Sequence, residues 1–257
     1  MAHEAYFTFS LSVAEGKRLI GKGVAALPVV RRAMRSGTIV ITRSTTNGYV
    51  AEELLGRRID RLRFVTGRTL PSAHPERGKL LSAELPEMVL RNGELDAEAD
   101  PDALLEELRA GDVIIKSPNA LDRRAGMVGY LIGAPTGGTV GRYLGPTHGR
   151  HLHFVAPCGL EKQVATDLVA ASALLGEAGE KLQGPSLWVT PAEIVTELEA
   201  ISLLTGAAAV QIAAGGIMGA EGAVWITACG TSEQVAGVRE LVDVVHGEPE
   251  LLEYAQG

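Results

Sequence analysis

Cysteine, aromatic side chains and long apolar runs are all scarce in this 257-residue chain. Its two cysteines, Cys158 and Cys229, lie far apart and form no CxxC. That speaks against a disulfide framework or a structural zinc site and for a reducing, cytoplasmic setting. Aromatic residues make up 4%, too few for an aromatic-rich sandwich or a base-stacking surface. The least polar stretch, Leu203–Ala220, is mostly alanine and is broken by Gln211, Gly215 and Gly216, so no membrane-spanning helix is expected. The opening MAHEAYFTFS has no basic segment followed by an apolar core, so no secretory signal is expected. Positive charge is scarce in one part only. Residues 1–160 carry 21 basic and 17 acidic side chains, residues 161–257 only 3 basic and 14 acidic, and the whole sums to −7. An acidic chain without a helix-turn-helix segment or a basic extension is not expected to bind nucleic acid.

What is abundant is glycine, 31 residues, within a strand–loop–helix rhythm. Ser12-Val13-Ala14-Glu15 reads as a capping box for a helix reaching Leu27, and Pro28 opens a second helix that Gly37 ends. Thr38–Thr42 is a β-branched run and hence a buried strand. YVAEELLG is then a helix, and Leu62–Val65 is a candidate strand. Asn92-Gly93 marks a hairpin between Met88–Leu90 and Glu94–Leu95. Pro101–Leu108 reads as a helix, and Asp112–Lys116, Met127–Ile132 and His151–Val155 as strands. In the tail, a helix is expected near Ala165–Leu175 and a strand near Ser186–Val189. Thr190 would cap a helix over Pro191–Leu204, and strands near Ala208–Ala213 and Ala223–Ala228 precede a helix from Ser232 to Val245. The expected fold is α/β, with a mostly parallel, Rossmann-like sheet bearing helices on both faces. A small C-terminal α+β lobe of ferredoxin-like type should accompany it. The charge break puts the boundary between a domain of residues 1–160 and an acidic lobe of residues 161–257.

In open α/β sheets, ligands sit outside the carboxyl ends of the strands. Three loops fit that place. Arg43 with the hydroxyls of Ser44, Thr45 and Thr46, then Asn47, precedes a helix, an arrangement suited to gripping an anion, although one of these residues also has to cap the helix. Lys116-Ser117-Pro118-Asn119 ends a hydrophobic strand, so Lys116 and Asn119 are placed to face the reacting end of a ligand. Gly137, Gly138 and Thr139 close a glycine-rich turn that lets backbone approach a ligand, though it is neither a Walker A loop nor a GxGxxG fingerprint. His151 and His153 share one face of a strand, with His148 nearby, but no carboxylate or cysteine cluster completes a ligand set, so neither a metal nor another cofactor is expected. Cys158 at a strand end reads as small buried packing rather than as a nucleophile. The basic run Arg57–Arg63 reads as a solvated face, or as a contact with the acidic lobe of another subunit. A homo-oligomer is expected.

GKGVAALPVVRRAMRSGTIVITRSTTNGYVAEELLG resembles the opening of the superfamily of ribose-5-phosphate isomerase A, glucosamine-phosphate deaminase and CoA-transferases. GDVIIKSPNALD is similar to the isomerase strand that ends in an acidic loop, and GAPTGGTVGRYL to its glycine-rich segment. HLHFVAPCGLEK resembles the later strand and loop ending near a lysine. The resemblance spans residues 12–164 and stays at superfamily level. It implies a phosphate loop at Arg43–Asn47. The aspartates of the isomerase fall on Lys116 and Asn119, and the region of its glutamate, near Gly141-Arg142, offers no carboxylate, so ribose-phosphate isomerase activity is not expected. Glu161 is the faint counterpart of a CoA-transferase glutamate.

The expected function is therefore binding, with or without turnover, of a small phosphorylated or carboxylated metabolite. Lys116 would be the acid/base, since burial near other cations lowers its amine toward neutrality. The competing readings are a metabolite-sensing module without catalysis and an assembly module joining basic and acidic lobes.

Overall fold

The structure, a computed structural model, describes residues 3–67, 69–81 and 85–251. Strand β1 (Ala5–Leu11) opens the chain, followed by helices α1 (Val13–Ala26) and α2 (Pro28–Ser36), strand β2 (Thr38–Ile41) and helix α3 (Thr45–Leu55). An irregular stretch with one 3-10 turn, Pro75–Leu81, leads to strands β3 (Met88–Arg91) and β4 (Glu94–Leu95) and helix α4 (Pro101–Glu107). Next come strands β5 (Val113–Ile115), β6 (Ala120–Asp122) and β7 (Met127–Ile132), helix α5 (Gly138–Arg150) and strand β8 (His153–Pro157). Helix α6 (Leu168–Ala178), strands β9 (Ser186–Pro191) and β10 (Glu193–Val195), helix α7 (Glu197–Thr205), strands β11 (Ala208–Ala214) and β12 (Val224–Gly230) and helix α8 (Ser232–Val245) complete it.

The molecule is mixed α/β around a six-stranded sheet of order β10-β8-β5-β2-β3-β4. β2, β5, β8 and β10 are parallel neighbours, and the β3–β4 hairpin joins β2 antiparallel. These strands read as continuous apolar runs because both faces of the sheet are covered. Their alternation still sorts the side chains. Ile39, Ile41, Val113, Ile115 and Val155 enter one hydrophobic cluster with α1, α3, α7 and α8, while Val40, Ile114, Phe154 and Ala156 enter a second with α4 and α5. A doubly wound sheet reverses its winding direction after the first strands. Here each parallel strand is added on the same side of its predecessor. The flank of β2 where a second winding would begin is taken by the hairpin, turned by Asn92 and Gly93 at φ 51° and 85°. The expectation of a parallel sheet thus holds for four strands, and the Rossmann-like description goes further than the sheet does.

The expected C-terminal lobe is corrected more deeply. β11 and β12 form a three-stranded antiparallel sheet whose third member is β1, paired from Ala5↔Gly230 to Leu11↔Val224. Residues 161–257 therefore do not make a ferredoxin-like unit by themselves. The chain crosses the 160/161 boundary again where β10 pairs with β8, and one hydrophobic cluster runs from Leu11 to Val245. The charge break marks a change of composition within a shared core. β9, meanwhile, leaves the tail to join β6 and β7 in a third, antiparallel sheet. That also explains the misplaced cap. Thr190 is committed to its partner Val128 on β7, and the helix waits for Thr196, whose Oγ1 accepts from Leu198 N while Glu199 accepts from Thr196 N at 3.0 Å. The candidate strand Leu62–Val65 is a turn instead.

The basic run Arg57–Arg63 is a solvated face only in part: Arg57, Arg58 and Arg63 are exposed, whereas Arg61 turns inward. Arg61 is only 1% exposed, with Nη1 2.9 Å from Glu248, and Arg58 meets both Glu52 and Glu248 at 3.0 Å. Arg18 on α1 reaches Glu52, Glu53 and Glu248, the last two at 3.0 Å. Arg18 and Arg61 also lie 4.7 and 4.3 Å from the centre of the Tyr49 ring. The acidic segment they hold belongs to the same chain. Burial alone would raise the Glu248 carboxyl, but hydrogen bonds from Arg18 and Arg58 hold it down at about 2.

Helices α1 and α7 touch at a glycine. A Cβ on Gly23 would fall 2.5 Å from the Ala200 Cβ, so the two backbones can approach only because Gly23 has none. Gly23→Ala should therefore lower stability by about 1–3 kcal/mol through overpacking, despite a gain of roughly 1 kcal/mol in helix propensity. Urea denaturation measures the net effect, and a variant at least as stable as the parent would contradict so tight a contact.

Candidate functional site

The carboxyl ends of β2, β5, β8 and β10 form one row. Thr42 N donates to Ile115 O at 3.0 Å, Lys116 N to Val155 O at 2.9 Å and Cys158 N to Val195 O at 2.9 Å. Each strand is thereby tied to the next one residue beyond its regular ladder. Side chains that follow the row project into a cleft of about 750 Å³, lined by all three loops expected from the sequence. Arg43, Ser44 and Thr45 come from the β2 loop, Lys116 and Asn119 from the β5 loop, and Gly137, Gly138 and Thr139 from the turn into α5. A recess of about 620 Å³ continues it past Arg43, Gly138 and Thr139 toward Glu87 and Arg142.

Two residues of the expected anion cradle sit behind the cleft wall. Thr46 and Asn47 are fully buried and do not line it. Asn47 is a brace: its Nδ2 donates to Thr42 O at 2.8 Å and to Ile115 O at 3.1 Å. The Ser44 hydroxyl caps α3, accepting from Asn47 N at 2.9 Å. The Arg43 and Thr45 side chains still line the cleft, and the backbone adds to them. Thr45 and Thr46 open α3, and N–H groups in the first turn of a helix have no intrahelical acceptor. Helix α5 starts on the same cleft from Gly137, at φ 80°, without any side-chain cap. Two helix N-termini therefore face one space, and each favours negative charge there.

Lys116 is half-buried in the wall, its Nζ 5.4 Å from the centre of the Tyr130 ring. Burial lowers its amine to about 8; nearby Glu87 opposes the shift and Arg43 adds to it. Asn119 lines the cleft, but its Oδ1 accepts from Leu131 N at 3.0 Å. It locks the β6–β7 hairpin and leaves only its NH2 for a ligand.

Several cleft residues were not found from the sequence. Glu87, in the irregular stretch before β3, accepts from the Tyr143 hydroxyl at 2.6 Å and lies 3.9 Å from Arg142. A carboxylate thus does stand beside Gly141-Arg142, supplied from more than fifty positions upstream, where no local pattern announces it. Lys162 also lines the cleft, its Nζ donating to Ser117 Oγ at 3.1 Å and Pro118 O at 2.9 Å. Its signal was present in the loop APCGLEK at a strand end.

Behind Lys162 lies a buried titratable group. Glu197, the first residue of α7, is 2% exposed and accepts from Leu160 N at 3.0 Å. Burial, reinforced by Glu161, pushes its carboxyl up to about 8. Lys17 on α1 is lowered by burial and by Lys162. Cys158 is fully buried and its thiol is pushed up to about 12 by burial, with Lys162 opposing, which suits packing and not nucleophilic attack. Among the described residues no three His, Cys, Asp or Glu side chains group as metal ligands. His153 meets Arg32 at 2.8 Å, and His151 ends α5.

Glu197 gives the fold a pH dependence with a definite sign. In the unfolded chain it ionises near 4.3, in the folded protein only near 8. Its stabilising share is complete below the unfolded value and is lost as pH rises through the folded one. Glu197→Gln keeps an acceptor for Leu160 N. The variant should come nearest the parent's melting temperature at pH 5, exceed it increasingly up to about pH 8 and keep that lead above it; parallel curves from pH 5 to pH 8 would disprove the buried acid.

Compared with known protein-family models, curated proteins and solved structures, the chain matches none. The chemistry of the cleft stands on its own residues.

Proposed function

We propose that the cleft binds a small phosphorylated or carboxylated metabolite. One observation carries this reading: Arg43, Lys116, Lys162 and the N-termini of α3 and α5 converge on a cavity whose larger part, among the described residues, has no Asp or Glu in its lining. Such a surface lowers the energy of an anion by charge-assisted hydrogen bonds and by fixed dipoles that need no reorganisation. The resemblance of residues 12–164 to sugar-phosphate isomerases and CoA-transferases is compatible with the same ligand class.

Turnover is the stronger of the two expected outcomes. An amine that titrates near 8 gives and takes protons at neutral pH, and Glu87 supplies a carboxylate on the neighbouring wall. Lys116 and Glu87 together fit proton transfer on a carbon or oxygen next to the anionic group. A sensing module would need the same binding residues but not this pair. Assembly through opposite charges is less favoured, because the basic run already holds its acidic partner within the chain.

A thermal-shift screen of sugar phosphates, CoA esters, nucleotides and dicarboxylates tests the binding. A ligand at a hundred times its Kd should add about 2.7 kcal/mol of stability. Arg43→Ala should weaken binding by roughly 10- to 100-fold, the worth of a charge-assisted hydrogen bond. A shift indifferent to Arg43 would refute the cleft as the site.

The charge on Lys116 makes binding pH-dependent. Below about 8 the amine is protonated and attracts the anion; as pH rises through that value the charge is lost. Titration calorimetry with a sugar phosphate should show affinity falling between pH 7 and pH 9, and Lys116→Gln should flatten the profile. Turnover, where found, should vanish in Lys116→Gln and in Glu87→Gln while binding persists.

A further inference from the structure

The cations of the cleft are spread along the row of strand ends. Arg43 follows β2, Lys116 follows β5 and Lys162 follows β8, and these strands are adjacent in that order. Arg43 borders both the cleft and the recess beyond it, whereas Lys162 lines the cleft alone, its ammonium held on the β5 loop by Ser117 and Pro118. The two cations thus stand at different places along the cavity, as the two ends of a sugar-sized molecule require.

Lys162 is built as a binding group. Two of its three ammonium protons go to neutral acceptors, Ser117 Oγ and Pro118 O, which fix the side chain and leave the third donor available. Among the described residues no carboxylate lies within 4 Å of it, whereas the three arginines around Glu248 all have such partners. Fixing a cation on neutral acceptors keeps its charge for something else. Among the described residues that line the cleft beside it, Ser117 and Asn119 included, there is no acid either. Glu161 and Glu197 do not line the cleft.

We propose that the ligand carries two anionic groups, one held by Arg43 and the helix N-termini of α3 and α5, the other by Lys162, with its carbon skeleton passing Lys116. The class is a sugar bisphosphate or a phosphorylated sugar acid. This rests on the reading of the cleft as an anion site and adds the second subsite to it. Lys116 then faces the middle of the ligand, where a carbonyl or hydroxyl, and not an anionic terminus, is presented for proton transfer.

Titration calorimetry with fructose 6-phosphate and fructose 1,6-bisphosphate, which differ by one phosphate, tests the second subsite on the full chain. The bisphosphate should bind at least about tenfold tighter, the worth of one further charge-assisted contact. Lys162→Met should remove that advantage, lowering the bisphosphate affinity at least about tenfold more than the monophosphate affinity. Lys162→Arg should retain it, which separates lost charge from damaged loop structure, and unliganded melting temperatures check that both variants fold. Equal affinity of the two sugars for the parent protein, or an equal loss of both in Lys162→Met, would overturn the second subsite while Arg43-dependent phosphate binding stood. Absence of binding by either sugar and by inorganic phosphate would overturn the anion site itself.

Discussion

A side-chain amide buried under the cleft holds the geometry on which everything above it depends. Asn47 Nδ2 bonds the carbonyls of Thr42 and Ile115, and the Thr42 hydroxyl bonds the same Ile115 carbonyl at 3.0 Å. These contacts close β2 and β5 at the end where their hydrogen-bond ladder runs out, and they anchor the start of α3 to both. Buried carbonyls at strand ends need partners. Here Asn47 and Thr42 supply them together and, in doing so, fix where Arg43 leaves one strand and Lys116 leaves the next. β8 and β10 extend the row by backbone hydrogen bonds. The spacing of the cleft cations is thus a property of the sheet.

The local elements were largely legible in the sequence because their signals are local. The capping box of Ser12 and Glu15, the Asn92-Gly93 turn, the β-branched runs of β2 and β5, and Gly56 in the left-handed conformation at the end of α3 all decide conformation within a few residues. What was not legible is pairing. β1 has an alternating pattern, but nothing near it shows that its partner is β12, more than two hundred positions away. Pro191 looked like the first residue of a helix, since Thr-Pro is a common opening. The strand before it had a partner in β7, and tertiary pairing outweighed the local signal. The site divides in the same way. Arg43, Lys116 and the glycine turn sit where the strand–loop rhythm puts them. Asn47 carries the right chemistry for a ligand and uses it on the fold, and Glu87 reaches the cleft from a stretch with no rhythm at all.

Two groups of charges in this one chain behave in opposite ways, and the contrast bears on function. Around Glu248, guanidinium groups and carboxylates are interleaved until each has a counterpart, which offsets the cost of taking them out of water. That network ties the C-terminal segment to α1 and α3 and gives the net charge of −7 an internal resolution, with part of the acidic end neutralised by the basic run. In the cleft the chain does the reverse. Lys116 is set against an aromatic ring and Lys162 on neutral oxygens, with no carboxylate within 4 Å of either among the described residues. A sequence that pairs its buried charges so fully in one place has the means to do so in another. Lys116 and Lys162, held with no carboxylate within 4 Å among the described residues, raise the energy of the unliganded cleft and lower that of any state with an anion inside, and that difference is what binding affinity consists of. The −7 of the whole chain acts against anion approach only at long range, where salt screens it beyond about 10 Å; inside the cleft, the nearest charges decide.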